Sequence, residues 1–212
     1  MTPAARHQAA IEILDRILAG AAAEQVLTAW ARASRFAGSG DRAAIRDIVF
    51  TALRCKRSFA HLGGSETGRG LVLGGLRAAH IPPETVFTGV GHAPALQSDA
   101  EASCPAEPMP EAVALDCPDW LEAELHDSLG ADFAAVMQAL QGRAPVILRV
   151  NAARISRPDA QAALQKDGIA TCTHPLAANA LEVTDNPRRV QTSSAYLSGL
   201  VELQDAASQA VI

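Results

Sequence analysis

Aromatic side chains are scarce in this 212-residue chain, at 4%, and its four cysteines, Cys55, Cys104, Cys117 and Cys172, never form a CxxC pair. Zinc sites need ligands about two to four residues apart, and small secreted domains need paired thiols. Neither pattern is present, so the cysteines read as reduced buried or surface thiols. No HExxH occurs, and His7, His61, His80, His92, His126 and His174 stand singly, so no metal is expected. No apolar run approaches the ~18–20 residues needed to cross a bilayer. The first residues, MTPAARHQAAIEILDR, carry charges where a signal peptide needs its apolar core. No membrane partner is expected, and the chain reads as soluble and cytoplasmic. With 49% hydrophobic residues, overall disorder is excluded.

Charge is unevenly placed. The formal net charge is −5, yet residues 1–80 hold eleven basic and six acidic side chains. Residues 81–142 contain no Lys or Arg and eleven acids, whereas residues 143–212 hold seven basic and six acidic residues. Screening confines charge effects to ~10 Å, so an anionic partner would be attracted to the first segment whatever the overall balance.

From Ala4 to about His80 the apolar spacing is helical. Ile11, Leu14, Ile17 and Leu18 form one stripe, and Val26, Leu27 and Trp30 suggest a second helix. Asp41 is an expected N-cap for a third, carrying Ile45, Ile48, Val49, Ala52 and Leu53. A further helix is expected between Glu66 and Ala79. The GGSETGRG run (63–70) follows no strand and lacks GK[ST], so it reads as a loop rather than a phosphate cradle. Residues 1–87 therefore form a helical bundle. Residues 88–111, rich in Pro, Gly and acids, read as an exposed linker; Cys104 lies there among acids, which do not activate a thiol.

Residues 112–212 resume with a helical hairpin, first from Asp116 or Pro118 to Leu129, then from Phe133 to Leu140. The acids from Glu111 to Asp132 lie along its solvated face and do not converge on a cation. The period then changes. Strands are expected at Pro145–Asn151, Thr171–His174, Ala180–Thr184 and Leu200–Leu203. A helix is expected over Pro158–Asp167, and Asp205 opens another. The order strand, helix, strand, strand, helix, strand points to a small ferredoxin-like α+β domain. Ala210-Val211-Ile212 fall in phase with an unfinished helix, so the chain is expected to be a fragment.

Two stretches carry a resemblance. DRAAIRDIVFTALRCKRSF (41–59) is similar to the arginine-rich helix of NusB-like RNA-binding domains. PDWL (118–121), RAPVILRVN (143–151), DGI (167–169), AL (180–181) and GLVELQDAASQ (199–209) resemble, in order and spacing, the RsmB/NOP family of S-adenosylmethionine-dependent RNA cytosine-5 methyltransferases. The resemblance implies action on ribosomal RNA, and a monomer is expected. It also implies a Rossmann-like catalytic domain beyond residue 212, supplying the cofactor site and a cysteine that attacks C6 of cytosine. No catalytic residue is expected within these 212 residues, which alone should be inactive. Thr171-Cys172 reproduces a family dipeptide in the wrong place and is taken as coincidence.

RNA-binding candidates are Arg42, Arg46, Arg54 and Arg57, grouped on a helical wheel at ~100° per residue, with Arg149 and Asn151 at the end of the first strand. Guanidiniums suit phosphate oxygens. Equally, the arginines could line an ordinary solvated face, Arg149 could pair with an acid, and Asn151 could cap a turn. Gln204, Asp205 and Ser208 match the family segment at the edge of the cofactor pocket, and could instead merely cap and begin a helix. Two functions remain open: the RNA-binding and substrate-positioning region of a methyltransferase, or a non-catalytic NusB-like RNA- and protein-binding factor in transcription or ribosome assembly.

Overall fold

The structure is a computed structural model that describes residues 1–103 and 107–211. It divides into two compact units, 1–143 and 144–212. Cys104 lies outside the described residues.

The first unit is helical. Helix α1 (Pro3–Leu18) starts where the Thr2 hydroxyl accepts the Ala5 amide at 3.2 Å, with proline preset in the first turn. Helix α2 (Ala23–Ala33) follows, then α3 (Ser39–Arg54), α4 (Lys56–Gly63) and α5 (Gly68–Ala78). Single-turn helices α6 (Asp99–Ala102) and α7 (Glu111–Ala114) lead to the hairpin of α8 (Asp119–Leu129) and α9 (Phe133–Gln141). Ile13, Leu14, Ile45, Val49, Leu71, Leu73 and Phe87 form the buried centre of the bundle.

Two expectations are corrected here. Asp41 is not the N-cap of α3: the helix begins at Ser39 after Gly38, and Asp41 reaches back from the third position to accept the Gly38 amide at 3.1 Å. Its carboxylate also receives the Met1 ammonium at 3.2 Å and Arg6 Nε at 2.8 Å. Arg57 does not continue the wheel of Arg42 and Arg46, because α3 ends at Arg54 and a new helix starts after Cys55. The first turn of α4 is capped from far along the chain. Asp116, in left-handed backbone at φ 54°, accepts the amides of Arg57 at 2.8 Å and Ser58 at 2.9 Å, and the Ser58 hydroxyl at 2.8 Å.

Helices α4 and α5 meet backbone to backbone. A Cβ at Gly74 would lie 1.9 Å from the Phe59 carbonyl oxygen, and one at Gly63 would lie 1.9 Å from that of Gly70. The glycine run is thus the seam of a helix pair, with Thr67 as N-cap of α5 through Gly70 N at 3.1 Å. The segment after this pair is mostly exposed, yet it is held down. Arg69 lies over the Phe87 ring at 4.7 Å, ion-pairs with Glu101 at 2.6 Å and donates to the carbonyls of Ala95 and Leu96.

The second unit contains β1 (Val146–Val150), α10 (Arg157–Lys166), β2 (Thr171–Thr173), β3 (Ala180–Val183), a 3-10 turn (Pro187–Thr192), α11 (Ser194–Leu197), β4 (Val201–Leu203) and α12 (Ala206–Ala210). The sheet order is β2-β3-β1-β4 with every pair antiparallel, which is the ferredoxin-like arrangement. Alternation along β1 sends Leu148 and Val150 into a core with Leu164, Ile169 and Leu181. Ile147 faces the other way, onto Ala180 and Ala206.

Candidate nucleic-acid interface

Among the four arginines grouped from the sequence, Arg42 alone is exposed with no ion pair or side-chain hydrogen bond among the described residues. Arg46 reaches α2, donating to Glu24 at 2.9 Å while its guanidinium stacks 4.9 Å from the Phe50 ring centre. Arg54 and Arg57 turn toward the hairpin. Arg54 Nε donates to the Gln141 carbonyl at 3.1 Å, and Arg57 binds the Cys117 carbonyl and the Asp119 carboxylate. Each of these two half-buried guanidiniums donates to a backbone carbonyl of the hairpin region, which is a structural use.

Arg149 pairs with Glu202 directly across the β1–β4 register. Asn151 closes the turn after β1: its carbonyl accepts Arg154 N at 2.9 Å, and its side chain donates to the Gly199 carbonyl at 3.3 Å. Asp205 caps α12 by accepting Ala207 N at 2.8 Å, and Ser208 is exposed in that helix. Gln204 donates its backbone amide to the Ile147 carbonyl at 3.2 Å and accepts the Gln209 amide group at 3.0 Å on its own carbonyl. The carboxylate of Asp205 is therefore committed to its helix, and no described cavity is lined by Gln204, Asp205 or Ser208 together. These three residues do not by themselves make a site for S-adenosylmethionine. Among the described residues no group of three or more His, Cys, Asp or Glu could hold a metal ion.

The thiols are placed as the sequence suggests. Cys55 and Cys117 are buried and Cys172 is exposed on β2. Burial, reinforced by the neighbouring Asp116 carboxylate, pushes the Cys55 thiol up to about 11, so it is no nucleophile at neutral pH.

Sequence reasoning missed a cluster at the α2–α3 connection. Arg32 in the last turn of α2 and Arg35 in the loop are exposed and, like Arg42, carry no ion pair or side-chain hydrogen bond among the described residues. Ala37 N bonds back to the Ser34 carbonyl at 3.0 Å, closing a turn whose outer residues, Ser34 and Ala37, are buried. The two tip residues, Arg35 and Phe36, are consequently pushed outward, leaving Phe36 76% exposed. The available signal was a Phe flanked by Arg in a Ser/Gly-bounded loop, outside any helical stripe.

Comparison with known proteins finds similarity over part of the chain. Residues 117–191 match the ferredoxin-like domain of the RsmF/B-like methyltransferases. That match starts in the hairpin, which packs within the first unit (1–143), so family resemblance and packing divide the chain at different places. Ribosomal RNA small subunit methyltransferase B of Vibrio cholerae serotype O1 is 35% identical over 92 residues, 43% of this chain and 21% of the relative. The aligned stretch thus spans about a fifth of that relative. A crystal structure of PH0851 superposes with a TM-score of 0.62 at 16% identity, covering 98% of this chain and 54% of that one; at this identity the likeness is one of fold. In the described residues no helix is long and apolar enough to cross a membrane. The resemblance to RsmF/B-like methyltransferases thus rests on residues 117–191.

Proposed function

We propose that these residues are the RNA-binding and substrate-positioning region of an S-adenosylmethionine-dependent ribosomal RNA (cytosine-5) methyltransferase of the cytoplasm. The observation that carries this reading is the match of residues 117–191, which include β1, α10, β2 and β3 of the antiparallel sheet, to the ferredoxin-like domain of RsmF/B-like methyltransferases. The helical unit, NusB-like by its arginine-rich third helix, supplies the surface for structured RNA. In this reading methyl transfer belongs to a further catalytic domain. The ferredoxin-like match favours this reading over a non-catalytic NusB-like factor.

The test uses the 212-residue chain with small-subunit ribosomal RNA. Binding should weaken steeply with added salt, as expected when cations displace condensed counterions. Arg42→Glu should lower affinity about five- to tenfold without changing the fold. No methyl group should pass from labelled S-adenosylmethionine to the RNA. Salt-insensitive binding, or methyl transfer by this chain alone, defeats the reading.

A further inference from the structure

A groove of about 700 Å³ opens in the first unit, bounded by α1, the α2–α3 turn and the loop around Val90. Its walls include the rings of Trp30, Phe36 and His92 and the side chain of Val90. Phe36 and Val90 are 76% and 75% exposed, so two apolar side chains stand in water at its mouth. Such exposure is unfavourable, at ~25 cal/mol per Å² of apolar surface, unless something covers it.

Polar features fix what that occupant is. Ser34, only 8% exposed, lines the groove, and its hydroxyl makes no side-chain hydrogen bond among the described residues. That hydroxyl is not sealed from solvent, so it is free to donate to or accept from a polar edge of a ligand in the groove. On the α2–α3 side stand Arg32, Arg35 and Arg42, all exposed and without ion pairs. The nearby Asp41 carboxylate does not offset them, because Met1 and Arg6 already neutralise it. The carboxylate that lines the groove, Glu12, sits on α1 and is held by Gln8 at 2.9 Å. Negative charge on a ligand is thus drawn to the arginine side and repelled from the α1 side.

We infer that this groove takes an unpaired base of a single-stranded RNA segment, stacked against Phe36 and Trp30, with the flanking phosphates on Arg35 and Arg42. Ring stacking is indifferent to base identity, since every base has a π-face, and Ser34 is placed to meet one polar edge. A peptide would fill the apolar walls but would leave three guanidiniums uncompensated. The inference rests on the RNA-binding reading above and adds where, and in what conformation, the RNA is held.

The test compares a mixed-sequence single-stranded RNA decamer with a phosphoribose decamer of the same charge that lacks bases. In a Trp120→Phe background, which leaves Trp30 as the reporter, the RNA should quench fluorescence and the abasic strand should not. Phe36→Ala should weaken RNA binding about tenfold and leave abasic binding unchanged, whereas Phe36→Trp should restore it. Because Phe36 is exposed, circular dichroism of Phe36→Ala should match the parent. Equal binding of both strands, or an unaffected Phe36→Ala, overturns the stacking site while the RNA-binding reading stands. If the parent chain binds neither strand nor ribosomal RNA, both fall.

Discussion

At the scale of single residues, Glu101 shows how one carboxylate fastens a segment. Its bonds with Arg69, and with the Ser98 amide, hold its pKa at about 2, against 4.5 for a free glutamate. A carboxylate depressed in the folded state contributes stability that is fully present above pH 4.5 and disappears as pH falls toward 2. Glu101→Gln should therefore cost about 1–2 kcal/mol at neutral pH, after discounting for partial solvent exposure, and progressively less as pH falls through about 2. Urea melts of the parent and the variant across that range check it: parallel curves at every pH would show that the pair is idle. The same scale separates the arginines. Types and spacing placed Arg42, Arg46, Arg54 and Arg57 together, but which carbonyls and carboxylates would meet them depends on the hairpin some sixty residues away, as with Arg57 and Asp119. No local pattern reports that, so the sequence named the residue types and not their partners.

At the scale of elements, local chemistry was largely legible. The apolar stripes of α1, α3, α5, α8 and α9, the strand of Val146–Val150 and the capping of α12 by Asp205 all follow from period and cap residues. What escaped was contact geometry. The break at Cys55 is set by the tertiary cap from Asp116, and the glycine run is a packing seam because Gly74 faces the Phe59 backbone. Two alanine substitutions separate packing from propensity. Gly74→Ala must move a backbone carbonyl that is 1.9 Å from the new carbon, and should cost about 3 kcal/mol or more. Gly40→Ala, in the first turn of α3 with nothing within 4 Å, should instead add about 0.5–1 kcal/mol through propensity. Thermal melts of the two variants should move in opposite directions. Matching shifts would mean that the seam tolerates separation.

At the scale of the whole molecule, each unit carries its own core, centred on Ile45 and Leu71 in one and on Leu148 and Leu181 in the other. Residues 144–212, made alone, should fold to a β-containing domain that unfolds cooperatively, since the apolar contacts of that core lie within the segment. A featureless melt by circular dichroism would show that the sheet depends on the helical part. Asp116 illustrates how distant parts of the first unit share a fate. It holds the start of α4 through Arg57 and Ser58, and also accepts the Gln141 side chain at 2.7 Å from the end of α9. One carboxylate is thus a rivet through three pieces of chain, and a lesion there would fray a helix start and loosen the hairpin's tail at once, as if two separate injuries had been made.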